Sequence, residues 1–175
     1  MVDLSLSLVL ALSGLSVVES PQECDSNRAL MGSYISHTNL IELCRSNVAR
    51  NSQCVQQVLR HEMVHAIQEN LQLKTAVIPE PLLSWMVRGL LSDSETMTVL
   101  LYDKHDTDQE FEARVLSRLP NWLIGSVLWA SEYHDRAVRG GIPLPPPWEV
   151  LPVQALFWAD PYAEPPSVTV SVAGS

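Results

Sequence analysis

Residues 61 to 65 read His61-Glu62-Met63-Val64-His65, the stretch whose residue types and spacing specify a chemistry. On an α-helix, side chains four apart lie one above the other, so both imidazoles can reach one metal ion. Glu62 follows the first histidine and points beside that ion, where its carboxylate can take a proton from bound water. Two imidazoles, a further ligand and one open position suit zinc. The expectation is one Zn2+ ion on His61 and His65, with Glu62 as the catalytic general base.

The helix that must carry these residues is legible. Asn51 or Ser52 can cap it, and Val55, Val58, Leu59, Met63, Ala66, Ile67 and Leu71 give a broad apolar face over 51–72. Cys54 lies two turns before His61 on roughly the same face, about 10 Å away along the axis, too far to share its metal. It is expected to be a core residue.

A catalytic site needs a third protein ligand. An extended motif would place glycine three residues and histidine six residues after His65, but the chain has Gln68 and Leu71. The ligand must come from later in the chain, and the helix beginning at Asp106 is the best source. Glu110 and Ala113 share a face there, and the small residue lets this helix approach the histidine helix closely. Glu112 is followed three residues on by the bulkier Val115, so Glu110 is favoured over Glu112.

With these residues in place, HExxH followed by a helix carrying Glu-x-x-Ala resembles the gluzincin branch of the zincin metallopeptidases, its small members above all, over roughly residues 29–120. The resemblance implies His61, His65 and Glu110 as zinc ligands and Glu62 as base. It also implies a strand edge before the helix that aligns an extended substrate. The activity implied is that of a hydrolase, cleaving peptide bonds with a zinc-bound water in a protein or peptide substrate. Many gluzincins carry Asp or Asn four residues after the glutamate ligand, to orient a histidine. Here that position is Arg114, so the histidine must be oriented from elsewhere. Tyr102, His105, Tyr133 and His134 are unranked candidates for a group that steadies the carbonyl oxygen. The alternative is a zincin-fold structural or assembly protein without turnover, its zinc closed by His105 or His134 as fourth ligand.

The expected fold is a single α+β domain over 1–140: a short sheet or hairpin packed on the HExxH helix, with a mostly helical C-terminal half. The hairpin runs from Leu30 to Ser36, through His37-Thr38-Asn39, to Leu40–Cys44. Further helices are read over Leu82–Leu91, from a cap at Asp93 or Ser94 to about Asp103, from Asp106 or Thr107 to Leu119, and over Asn121–Val138 with Pro120 in the first turn. Glu132 and Asp135 are expected to be solvated. Residues 141–175 form a Pro-rich arm holding eight of the twelve prolines, which excludes regular helix and central strand. The arm is expected to contact its own body or a neighbouring subunit.

Composition fits this reading. Of 175 residues, 46% are hydrophobic and 18% charged, which marks a globular chain. A formal net charge of -9 argues against a nucleic-acid partner. The run Leu4 to Val18 is short for a membrane span and lacks a basic start, so a buried N-terminal element with a strand period is expected rather than a signal or anchor. A cytoplasmic location is favoured slightly over a secreted one. Three cysteines leave two arrangements open, a single bridge such as Cys24 to Cys44 or three buried thiols.

Overall fold

The longest element is set by its ends and its apolar face. In the computed structural model, which describes residues 10, 13–19, 22–48, 51–72, 76–102 and 106–140, Ser52–Asn70 is helical. Asn51 caps it, its side chain accepting from the Gln53 N–H at 2.9 Å. Leu59, Met63, Val64 and Ile67 on this helix are fully or nearly fully buried. They join Ile41, Leu43, Ala113, Ile124 and Leu128 in one core. Each such side chain contributes about 1.5–3 kcal/mol on leaving water, so the histidine helix is the spine of the domain.

The elements in chain order are β1 (Ser16–Glu19), α1 (Glu23–Ser26), β2 (Gly32–Ile35), β3 (Leu40–Leu43), α2 (Ser52–Asn70), α3 (Glu80–Leu90), α4 (Asp93–Val99), α5 (Thr107–Leu116) and α6 (Asn121–Val138). The fold is α+β, with a small three-stranded sheet and mostly helical content. The sheet order is β1-β3-β2, with β1 parallel and β2 antiparallel to β3. Strand β3 is therefore central, its Ile41 and Leu43 facing the core, and β2 is an edge.

The β2–β3 hairpin turns through Ser36–Asn39, where His37 and Asn39 adopt left-handed φ of 64° and 52°. Such backbone is costly for these residues unless something holds it. Glu69 near the end of α2 does so: its carboxylate accepts the His37 N–H at 2.9 and 3.2 Å. The hairpin is thereby tied to the histidine helix. Arg60 ties the other side, donating to the Ser117 carbonyl and the Asn121 Oδ1, each at 2.6 Å.

Several expectations shift. Ser92 rather than Asp93 or Ser94 caps α4, in a reciprocal capping box with Glu95. That helix ends at Val99 instead of running to 103. Leu10 is helical, not extended; it and Leu15 are buried in the core. The rest of the early part of the Leu4 to Val18 run lies outside the described residues, as do His105 and the Pro-rich arm. Of the expected N-terminal element with a strand period, residues 16–18 lie in β1, which is mostly exposed rather than buried, and the single turn α1 has no counterpart in the sequence reading. Glu132 and Asp135 are buried rather than solvated, paired with Arg136 at 2.9 Å and Arg139 at 2.7 Å. Cys24 and Cys44 form a disulfide, while Cys54 is unbridged and packs against the core. Among the described residues, no helix is long and apolar enough to cross a membrane.

Candidate metal centre

Helix α2 presents His61 and His65 on one face, as their spacing requires. Helix α5 crosses against that helix with Ala113 fully buried in the shared core, so a residue one turn earlier comes close to the imidazoles. That residue is Glu110. Its Oε2 lies 3.5 Å from His61 Nε2 and 3.5 Å from His65 Nε2, and the two Nε2 atoms are 3.2 Å apart. Three donor atoms thus form a nearly equilateral triangle. An ion bound tetrahedrally at 2.0–2.1 Å would have ligand-to-ligand edges of about 3.3–3.4 Å, so these side chains fit zinc as they stand. Among the described residues these three are the group of metal-ligating side chains that converges within ligand distance.

The second Glu110 oxygen is engaged separately. Arg114 donates through Nε to Oε1 at 3.0 Å, which fixes the carboxylate and leaves one oxygen toward the histidines. Arg114 therefore supports the glutamate, not a histidine. Burial works to raise the Glu110 carboxyl, but hydrogen bonds and charge from His61 and His65 outweigh it and hold the group far below the usual carboxylate range. Burial likewise works to lower His65. The hydrogen bond that His65 donates to Glu110, the Glu62 charge and the contact with Gln68 prevail and raise it. Both shifts have one cause: two carboxylates over two imidazoles make this a place where positive charge is stabilised.

Glu62 lies one residue from the triangle and is buried. Burial pushes its carboxyl up; His61 and His65 pull it down, Glu110 pushes it up again, and the Tyr34 backbone N–H pulls it down by hydrogen bonding. The strand register explains that N–H. Cys44 N–H bonds the Met31 carbonyl at 3.0 Å, so alternation turns the backbone of Gly32 and Tyr34 away from β3. The free edge of β2 therefore faces the site. Gly32 is needed there, because a Cβ would meet Val58 Cγ1 at 2.7 Å and Glu62 Oε1 at 3.1 Å.

A buried chain of hydrogen bonds stands behind His65. Its Nδ1 meets Gln68 Oε1 at 2.9 Å. Gln68 Nε2 donates to Glu112 Oε2 at 2.8 Å and to the Gln109 carbonyl at 3.1 Å. Glu112 Oε1 accepts the Ile78 N–H at 2.7 Å. Glu112, the other glutamate considered as a ligand, is thus directed away from the triangle into this chain. A cavity of about 510 Å³ opens beside His65, bordered by Tyr34, Gln68, Glu69, Gln109 and Arg139.

Among the three described candidates for steadying a carbonyl oxygen, Tyr102, Tyr133 and His134, Tyr102 is the one whose surroundings include the site. Burial raises its hydroxyl and the Glu110 charge adds to this, against a hydrogen bond and charge from Arg114. Tyr133 and His134 are exposed on α6. The sequence reading missed Gln68 and Tyr34. Gln68 carried a signal, being three residues after His65 on the same helical face. Tyr34 carried none, since the placement of a hairpin edge against a helix is a tertiary fact. Comparison with protein families, with characterised proteins and with solved structures gives no match for this chain.

Proposed function

We propose that the chain is a zinc-dependent metallopeptidase that hydrolyses peptide bonds in a protein or peptide substrate. The observation that carries this reading is the triangle of His61 Nε2, His65 Nε2 and Glu110 Oε2, with edges of 3.2, 3.5 and 3.5 Å, beside the buried carboxylate of Glu62. Zinc held there supplies the Lewis acidity that polarises a scissile carbonyl and acidifies water. The other roles fall to the chain itself. Glu62 accepts the proton of the attacking water and delivers it to the leaving amine. The outward edge of β2 offers backbone partners to an extended peptide, which would then pass across the face of α2. Tyr102 is the candidate for bearing on the carbonyl oxygen.

The zincin-like reading of the fold belongs to the same proposal. It is supported by the order strand edge, HExxH helix, glutamate helix, and not by any match of overall architecture. A catalytic rather than a structural site is supported by Glu62, since a closed zinc site needs no buried base, and by the exposed position of His134. The Cys24–Cys44 bridge favours an oxidising compartment over the cytoplasm.

The test is metal content followed by cleavage. Wild type and Glu62→Gln are expected to bind one zinc ion, and Glu110→Ala to bind it more weakly. Zinc-loaded wild type is expected to cleave members of a diverse peptide library that Glu62→Gln leaves intact. No zinc in any form after reconstitution refutes the reading; zinc without cleavage by wild type would favour a structural role.

A further inference from the structure

We propose that Glu112 is a positioning residue which, acting through Gln68, fixes His65 in the tautomer that carries hydrogen on Nδ1 and aims the Nε2 lone pair at His61 and Glu110. The proposal rests on the zinc reading of the same site, and extends it to residues that do not touch the metal position.

The argument is one of donors and acceptors. An ionised carboxylate only accepts, and so does a backbone carbonyl. Gln68 points one end of its amide at Glu112 Oε2, 2.8 Å away, and at the Gln109 carbonyl, 3.1 Å away. That end must be the NH2 group. The carbonyl end, Oε1, is thereby left facing His65 Nδ1 at 2.9 Å, and an oxygen there requires hydrogen on Nδ1. A neutral imidazole carries one hydrogen, so Nε2 keeps its lone pair. Glu112 cannot turn to relax this order, because its other oxygen accepts the Ile78 N–H at 2.7 Å and the residue is fully buried. The polarity of the chain is set at its far end, by the Glu112 carboxylate together with the Gln109 carbonyl.

The order can be reversed by one atom. In Glu112→Gln, the Ile78 N–H holds the new amide's oxygen, so its NH2 faces Gln68; to meet that donor Gln68 turns its Oε1 toward position 112 and its NH2 toward His65, giving up its 3.1 Å bond to the Gln109 carbonyl. Nδ1 must then be the acceptor and the hydrogen moves to Nε2, where it blocks coordination. A second exchange restores the sequence. In Gln68→Glu with Glu112→Gln, the carboxylate at 68 accepts from both His65 Nδ1 and the amide at 112, whose oxygen still receives the Ile78 N–H. A residue that merely fills space would not show such a rescue.

The experiment reads the His65 tautomer by long-range ¹H–¹⁵N spectra of the chelator-stripped full chain, and zinc affinity by competition with a chromophoric chelator. At a pH where His65 is neutral, the wild-type ring is expected to carry its hydrogen on Nδ1. Glu112→Gln is expected to move it to Nε2 and to weaken zinc about 10–100-fold, the usual cost of losing a group that orients a histidine ligand. The double exchange is expected to recover both. Hydrogen on Nε2 in the wild type overturns the proposal, as does a double exchange that binds zinc no better than Glu112→Gln. Should Glu112→Gln not fold, the wild-type tautomer and the double exchange still decide it. Should the wild type bind no zinc, the metallopeptidase reading fails, and the tautomer alone decides the proposal.

Discussion

Gly32→Ala is the perturbation that most directly tests the placement of β2 against the histidine helix. A Cβ at position 32 would lie 2.7 Å from Val58 Cγ1, 3.1 Å from Glu62 Oε1 and 3.2 Å from the Glu42 carbonyl oxygen. Real Cβ atoms do not tolerate the first of these, so the strand or the helix must yield. Overpacking of this kind costs about 1–3 kcal/mol. The substitution also restricts the unfolded chain, which returns about 0.4–1 kcal/mol, so the clash prevails and the variant is less stable. Val58→Ala removes the atom at 2.7 Å and is expected to recover about 1 kcal/mol in a double-mutant cycle. The Glu62 and Glu42 contacts remain, so recovery is incomplete. Zinc stoichiometry stays at one, because none of the three ligand side chains meets the new Cβ, while peptide cleavage falls as Glu62 is displaced. The assay is urea unfolding of the single and double variants beside metal content. A Gly32→Ala chain as stable as wild type, or strictly additive single effects, would refute the packing.

Other consequences can be checked with the same preparations. Opening the Cys24–Cys44 bridge, whose ends are 20 residues apart, is expected to cost about 3 kcal/mol from loop-closure entropy while leaving zinc binding intact; reductant-dependent unfolding measures this. Arg114→Leu frees Glu110 Oε1 and is expected to weaken zinc by about tenfold without loss of fold, read by chelator competition. Glu95 takes part in the α4 capping box and bonds Arg118 at 2.6 Å. Burial raises its carboxyl, but the Ser92 hydrogen bonds and the Arg118 charge and hydrogen bond together outweigh it and bring the group below the ordinary 4.5. A depressed folded pKa adds stability above the unfolded value and loses it as pH falls through the folded one. Glu95→Gln should therefore cost about 0.5–1 kcal/mol at neutral pH, a gap that closes as pH falls through the depressed folded value, below 4.5. A gap unchanged at low pH would rule out the charged form as its source.

What could be read from the sequence divides along a physical line. Helix α2, its Asn51 cap, the hairpin arms and α6 follow from local pattern, cap chemistry and apolar period, and their ends fall within a residue or two of expectation. Where two capping residues competed, as at Ser92 and Asp93, the reciprocal bond with Glu95 decided, and a one-residue shift in the cap is enough to hide it. The bounds and pairing of β1 eluded the reading, which gave a strand period to the whole of Leu4–Val18, because its partner, β3, lies 24 residues further on (Ser16 opposite Leu40) and pairs with it in parallel. Its exposed and half-buried residues give no clean alternation. Parallel pairing leaves no turn signature between neighbours.

The glutamates of α5 show where spacing stops and tertiary structure begins. Glu110 and Glu112 are both buried, and neither Ala113 nor Val115 retains exposure, so the bulk of the residue three places on does not by itself separate them. What separates them is direction. Two residues along a helix rotate a side chain by about 200°, so one carboxylate can face the imidazoles only if the other faces away. Glu110 meets the Nε2 atoms, and Glu112 meets Gln68 and the Ile78 N–H on the other side. The acid on the far side is not thereby spared a function. Glu110 faces His65 Nε2 directly, and Glu112 is linked to His65 Nδ1 through Gln68, so α5 directs one acid toward each side of the ring. On the proposed role of Glu112, the need to orient the histidine, left open by Arg114, is met from the same helix by a residue that had been weighed only as a rival ligand.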